Sequence, residues 1–80
     1  MSGQLEDTLL AMIDALPPGK SVSPEEVARA VQQDERWRHL LPKIRAIAVG
    51  LARQEKLVIL RHGKPADPSA FKGVYRLTRP

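Results

Sequence analysis

The chain contains no cysteine. That single absence removes disulfides, thiol nucleophiles and thiolate metal sites together. Histidine is nearly as scarce. His39 and His62 are the only imidazoles, they fall in different predicted elements, and no i, i+4 ligand pair exists. His62 and Asp67 share one predicted loop, but a stable site wants three or four ligands, so neither a metal nor a cofactor is expected. No apolar run approaches the roughly 20 residues of a membrane span. The opening MSGQLED has neither the basic nor the apolar region of a secretory leader. The expectation is a cytoplasmic protein without membrane contact. Catalytic constellations are missing as well. No carboxylate pair sits in an apolar surround suited to general acid–base work, and no glycine-rich phosphate loop precedes a helix. Ser21, Ser23 and Ser69 have no base beside them in sequence. The chain is therefore not expected to be an enzyme, and no small-molecule substrate is evident.

What is present is charge, unevenly divided. Residues 1–35 hold two Lys/Arg against seven Asp/Glu, a formal −5, while residues 36–80 hold eleven against two, a formal +9. A half this basic points to an anionic partner. With 80 residues and 42% hydrophobic side chains, one domain over residues 1–80 with one core is expected.

The order of elements follows from periodicity and punctuation. Leu5, Leu9, Met12, Ile13 and Leu16 recur at helical spacing and predict a first helix over 4–16. Pro17-Pro18-Gly19 ends it in a turn. Ser21-Val22 is too short for a strand by itself but suffices for one or two ladder bonds to a sheet. Ser23-Pro24-Glu25-Glu26 is the clearest local signal: an N-cap, a proline at N1 and a capping-box glutamate at N3. It opens a second helix over 24–33, with Val27, Ala30 and Val31 expected inside. Asp34–His39 connects this helix to the next. Trp37, the only tryptophan, sits before Leu40 and Leu41, a setting that favours a buried ring over a base-stacking platform. A third helix is expected over 41–55. Its Ile44, Ile47, Ala48 and Leu51 fall at i, i+3, i+4 and i+7, and burying each large aliphatic is worth about 1.5–3 kcal/mol. Strands are expected at 57–61 and 74–77. The intervening 62–73, HGKPADPSAFKG, is punctuated by Gly63, Pro65, Pro68 and Gly73 and reads as a long loop in an antiparallel hairpin. Helix, short strand, helix, helix, strand, loop, strand is the order of an α+β winged helix-turn-helix, with 62–73 as the wing.

A resemblance points the same way. Ser23-Pro24-Glu25-Glu26-Val27-Ala28-Arg29, Trp37-Arg38, Ile44-Arg45 leading to Leu51-Ala52, Gly63-Lys64-Pro65 with Asp67-Pro68, and Phe71-Lys72-Gly73-Val74-Tyr75-Arg76-Leu77 make the chain resemble a family of small bacterial winged-helix proteins known as a domain of unknown function. The likeness spans about residues 5–78. It implies a fold and no activity.

On that scaffold the leading expectation is a nucleic-acid-binding module, double-stranded DNA favoured, in the manner of a small transcriptional regulator. The second helix of a helix-turn-helix enters the major groove N-terminal end first, and here that end offers Arg38, His39, Lys43 and Arg45. Lys43 and Arg45 are the candidates for guanine contact. Arg36 is placed to meet backbone at the helix entrance, and Lys64 and Lys72 to meet flanking phosphates. Four to six phosphate contacts would give a salt slope of about −4 to −5. The alternative is a protein-interaction or dimerisation module, because Ala46, Val49 and Gly50 put small apolar positions where base-reading side chains would be wanted.

Overall fold

The computed structural model describes residues 3–80; Met1 and Ser2, which begin the stretch read for a leader, lie outside the described residues. Three α-helices, α1 (Gly3–Asp14), α2 (Pro24–Val31) and α3 (Leu41–Arg53), precede three short strands, β1 (Val58–Arg61), β2 (Lys64–Pro65) and β3 (Arg76–Thr78). The sheet is antiparallel with order β2-β1-β3. Val22 adds a single bridge to Leu77 on the far side of β3. Both backbone bonds of that bridge form at 2.8 Å, so the Ser21-Val22 segment supplies the two ladder bonds expected of it. The arrangement is α+β and winged-helix-like.

The first helix buries Leu5, Leu9 and Ile13 and ends at Asp14, two residues short of the expected boundary. Pro17 forces that ending, since the residue before a proline avoids the α region. Leu16 instead closes a tighter turn on the Ile13 carbonyl at 3.1 Å. Lys20 then donates to the Pro17 carbonyl at 3.1 Å across Pro18 and Gly19, with Gly19 at φ +80°. Proline followed by a positive-φ glycine is the preferred centre of a type II turn.

The capping box forms as expected. Ser23 Oγ accepts from the Glu26 N–H at 3.1 Å, and the Ser23 N–H donates to Glu26 Oε1 at 3.4 Å. The inward face of α2 differs from the expected one. Val27 and Ala28 are buried and Val31 is half-buried, while Ala30 is exposed. The helix touches both α1 and α3, so its buried arc centres among 27, 28 and 31 and leaves Ala30 roughly a third of a turn away. The helix also stops at Val31 rather than 33, where Gln32 turns extended.

The connection at 34–39 is a 3₁₀ helix over Glu35–Leu40, capped by Asp34. It drops Trp37 into the core at 9% exposure. The guanidinium of Arg29 lies 4.6 Å from the indole centroid and that of Arg38 5.3 Å. In α3, Ile44, Ala48 and Leu51 are fully buried, but Ile47 is only half-buried. The helix ends at Arg53 by reversed bonds, Glu55 N–H to Ala52 at 3.0 Å and Lys56 N–H to Leu51 at 2.9 Å, with Glu55 at φ +62°. This is the paired bonding of a Schellman ending, with glutamate at the left-handed position that usually takes glycine.

The expected wing is more structured than a loop. His62 and Gly63, at φ +53° and +79°, make a two-residue turn that pairs Lys64 with Arg61 and Pro65 with Leu60. Positive φ at both central positions matches the twist of the flanking strands. The ladder ends with Ala66 donating to Ile59 at 2.8 Å. Residues 66–75 then cross to the other side of β1, where β3 pairs Ile59 with Leu77. Phe71, Tyr75 and Leu77 point in, and Lys72, Val74 and Arg76 point out. The expected alternation therefore holds, although ladder pairing is confined to 76–78. Phe71 and Tyr75 meet edge to face, centroids 5.0 Å apart. Aromatic pairs prefer this geometry because a ring's positive edge meets its neighbour's negative face.

Candidate nucleic-acid interface

The six cations singled out by sequence do not share one fate. Arg36 is held by its neighbour. Its Nε lies 3.0 Å and its Nη2 2.7 Å from Asp34 Oδ2, and its N–H donates to Oδ1 at 2.9 Å. The Gln32 amide adds a fourth donor at 3.0 Å. The Arg36 side chain and backbone N–H, then Gln32, hold the Asp34 carboxyl well below the usual carboxylate range, and Asp34 pushes the Arg36 guanidinium up. An exposed fork already filled by a carboxylate presents little net charge to a phosphate.

Arg45 is half-buried and turned onto the crossing segment. Its Nη2 donates to the Phe71 carbonyl at 2.7 Å, and its guanidinium carbon lies 4.0 Å from the Phe71 ring centroid and 5.9 Å from that of Tyr75. In this position Arg45 fastens the crossing segment to α3, a contact the expectation of a base contact did not include. Burial pushes the neighbouring Tyr75 phenol up, and Arg45 acts weakly the other way.

Two further arginines do the same work. Arg53 Nη2 donates to Ser69 Oγ at 3.1 Å, and Arg61 Nη1 donates to the Val74 carbonyl. Arg61 also lies over Gly73, where an added Cβ would stand 3.3 Å from Nη1. Gly73 at φ +82° is thus held to glycine by conformation and by this close approach. Arg76 donates to Ser21 Oγ at 2.7 Å and to the Ser21 carbonyl at 3.0 Å, and faces Glu26 at 3.5 Å. These three roles were not anticipated. Only the tight turn behind Arg61 had a usable signal: His-Gly between flanking extended residues, since both residue types tolerate positive φ.

The lysines contrast with this. Lys20, Lys43, Lys56, Lys64 and Lys72 are all exposed, and among the described residues none makes a side-chain hydrogen bond or ion pair. Lys43 lies in the first turn of α3 beside a groove of about 490 Å³ shared with Gln4, Leu5, Val31, Leu40, Ala46 and Ile47. Lys64 pairs with Arg61 in the β1–β2 hairpin, and Arg61 holds Val74 two residues from Lys72. By register Lys64 shares its face of the sheet with Arg61 and Ile59, whereas Lys72 belongs to the outward row of Val74 and Arg76. The structure separates Lys43 from Arg45, which lie about 160° apart around α3 at helical spacing. Arg38 is exposed, with its guanidinium 5.3 Å from the Trp37 ring centroid.

The face of α3 between those two flanks carries Pro42, Ala46, Val49, Gly50 and Arg53. It offers no amide or hydroxyl to read a base edge. No group of three or more His, Asp or Glu side chains able to hold a metal occurs among the described residues, and none of their helices is long and apolar enough to cross a membrane. No curated protein matches the chain. Residues 2–80 match the family described as "Protein of unknown function (DUF3253)", and with nearly its whole length matched, the chain belongs to that family.

Proposed function

We propose that the protein is a non-catalytic, cytoplasmic module that binds duplex DNA through its phosphates and with little preference for sequence. The observation that carries this reading is the division of labour among its cations. Arginines 36, 45, 53, 61 and 76 are engaged within the chain, whereas Lys43, Lys64 and Lys72 stand exposed on a winged-helix-like frame. Phosphate contacts position a protein without reading bases. An α3 surface of Pro42, Ala46, Val49 and Gly50 suits that role better than it suits a base code.

Counting Arg38 with the three lysines gives four contacts, and a log–log salt slope of about −3.6. Titration of random-sequence duplex across a salt series measures it. A slope shallower than about −1, or no binding at low salt, would overturn the proposal. Lys64→Glu and Lys43→Glu should each reduce the slope by about 1, while Arg36→Gln should leave it nearly unchanged. The second reading, a protein-interaction module, draws on the apolar grooves that border α3. Failure to bind DNA at low salt combined with a solution mass above the monomer would favour it.

A further inference from the structure

The chain carries eight arginines. Six of them donate a side-chain hydrogen bond within the chain: Arg36, Arg45, Arg53, Arg61, Arg76 and Arg79. Arg29 and Arg38 donate none among the described residues, and these are the two whose guanidiniums lie on the ring of Trp37, 4.6 and 5.3 Å from its centroid. The two guanidinium carbons are therefore no more than about 10 Å apart. Both side chains are exposed. Arg29 stands in α2 and Arg38 in the 3₁₀ helix that leads into α3, so one buried indole holds together two cations from separate elements.

Arg45 also lies on a ring, but its fork is engaged by the Phe71 carbonyl. A guanidinium stacked on an aromatic face keeps its in-plane donors for a further acceptor, and at Arg29 and Arg38 the chain supplies none. The carboxylates around them leave both forks open. Asp34 is taken by Arg36. Among the described residues Glu35 forms no ion pair with either guanidinium. Glu25 approaches Arg29 Nε to 3.6 Å, with the Arg29 and Glu25 side chains 57% and 55% exposed, a spacing and exposure at which an ion pair is weak and easily exchanged for another.

The geometry points to Arg29 and Arg38 as a clasp for the phosphodiester backbone of one DNA strand, with Trp37 as the residue that positions both. This rests on the DNA-binding reading above and extends its contact surface from α3 onto α2. A phosphate oxygen accepts strong, charge-assisted hydrogen bonds from guanidinium N–H groups, and it relieves the repulsion between two cations held on one ring. With Arg29 as a fifth contact the log–log salt slope becomes about −4.5.

Trp37 is the only tryptophan, so its emission, excited beyond tyrosine absorption, reports on this ring alone. A guanidinium drawn toward a phosphate changes the field at the indole. The full chain is titrated with dye-labelled random-sequence duplex, anisotropy reading binding and Trp37 emission reading the clasp. Emission should change in step with anisotropy and saturate with it. Arg29→Gln should reduce the salt slope by about 1 and shrink the emission change. Lys56→Gln, which loses the same charge beyond the far end of α3, should do neither. Binding that leaves Trp37 emission constant, or that the two variants weaken equally, removes the clasp and leaves the DNA reading standing. No binding at low salt removes both. Circular dichroism of each variant confirms that the fold is retained.

Discussion

The two flanks of α3 are built from the same residue classes and are used in opposite ways. On one flank, Arg45 and Arg53 reach across to Phe71 and Ser69, and the segment 66–75 covers the helix. On the other, Lys43 stands in solvent and Ala46 and Ile47 border an open groove toward α1. The difference follows from the head group. A guanidinium offers a planar fork of donors that is weakly hydrated and stacks on rings. It can therefore cap a carbonyl and lie on Phe71 at once. An ammonium is a compact, strongly hydrated charge and stays in water unless a partner compels otherwise. A basic half-chain thus need not be a binding surface throughout. Three of the eleven cations in the basic half, Arg45, Arg53 and Arg61, hold the crossing segment in place instead.

The sharpest way to break the covered flank is to remove what Arg45 stacks on. Phe71→Ala leaves a cavity beneath the segment and should cost about 3 kcal/mol. That lowers the midpoint of thermal unfolding by about 12–24 °C in a domain of this size. A loss of only a few degrees would mean that the segment is not an integral part of the core.

Next comes Arg45 itself. Arg45→Ala strips the Phe71 carbonyl of its donor and the ring of its lid, for an expected loss of about 1.5–3 kcal/mol. Arg45→Lys should recover less than half of that, because an ammonium cannot cap and stack together. Denaturant unfolding of the two variants reads the difference directly. Full recovery by lysine would show that charge alone matters there.

The same flank has a signature in pH. Burial raises the Tyr75 phenol above its ordinary 10.0, so the folded state keeps a proton that the unfolded chain releases. Stability is therefore fully present below pH about 10 and falls as pH rises from there through the folded value. Tyr75→Phe keeps the ring and should flatten that fall above pH about 10, as measured by denaturant midpoints. An unchanged slope would place the alkaline loss elsewhere.

The smallest effect is expected on the open flank. Lys43→Ala should change stability by less than about 0.5 kcal/mol while weakening DNA binding at low salt. A large loss of stability would mean that the two flanks are not as different as their contacts indicate.

Much of this molecule was legible before any coordinates, because the deciding interactions are local. Ser23-Pro24-Glu25-Glu26 closes its capping box within three residues. Pro17-Pro18-Gly19 stops α1 by the sterics of proline and the freedom of glycine. The alternation of Val74, Tyr75, Arg76 and Leu77 sorts out from in because successive side chains of an extended chain point to opposite faces. What stayed hidden depends on neighbours that no spacing names. Ala30 turned outward because α2 packs against two helices at once. The β2 strand formed because β1 had a free edge for Lys64 and Pro65.

The arginines show the divide most clearly. Sequence alone put Arg36 at the entrance of one helix to meet DNA backbone and Lys43 and Arg45 on its first turns to meet bases, all three free in solvent. Tertiary structure separated them: Arg36 to a carboxylate two residues away, Arg45 to a carbonyl 26 residues away, Lys43 to water. A long charged side chain has several partners within reach, and only the folded backbone decides which of them arrives. Local sterics and periodicity therefore determined the elements and their order, whereas the fate of Arg45 was settled by a contact between elements far apart in the chain.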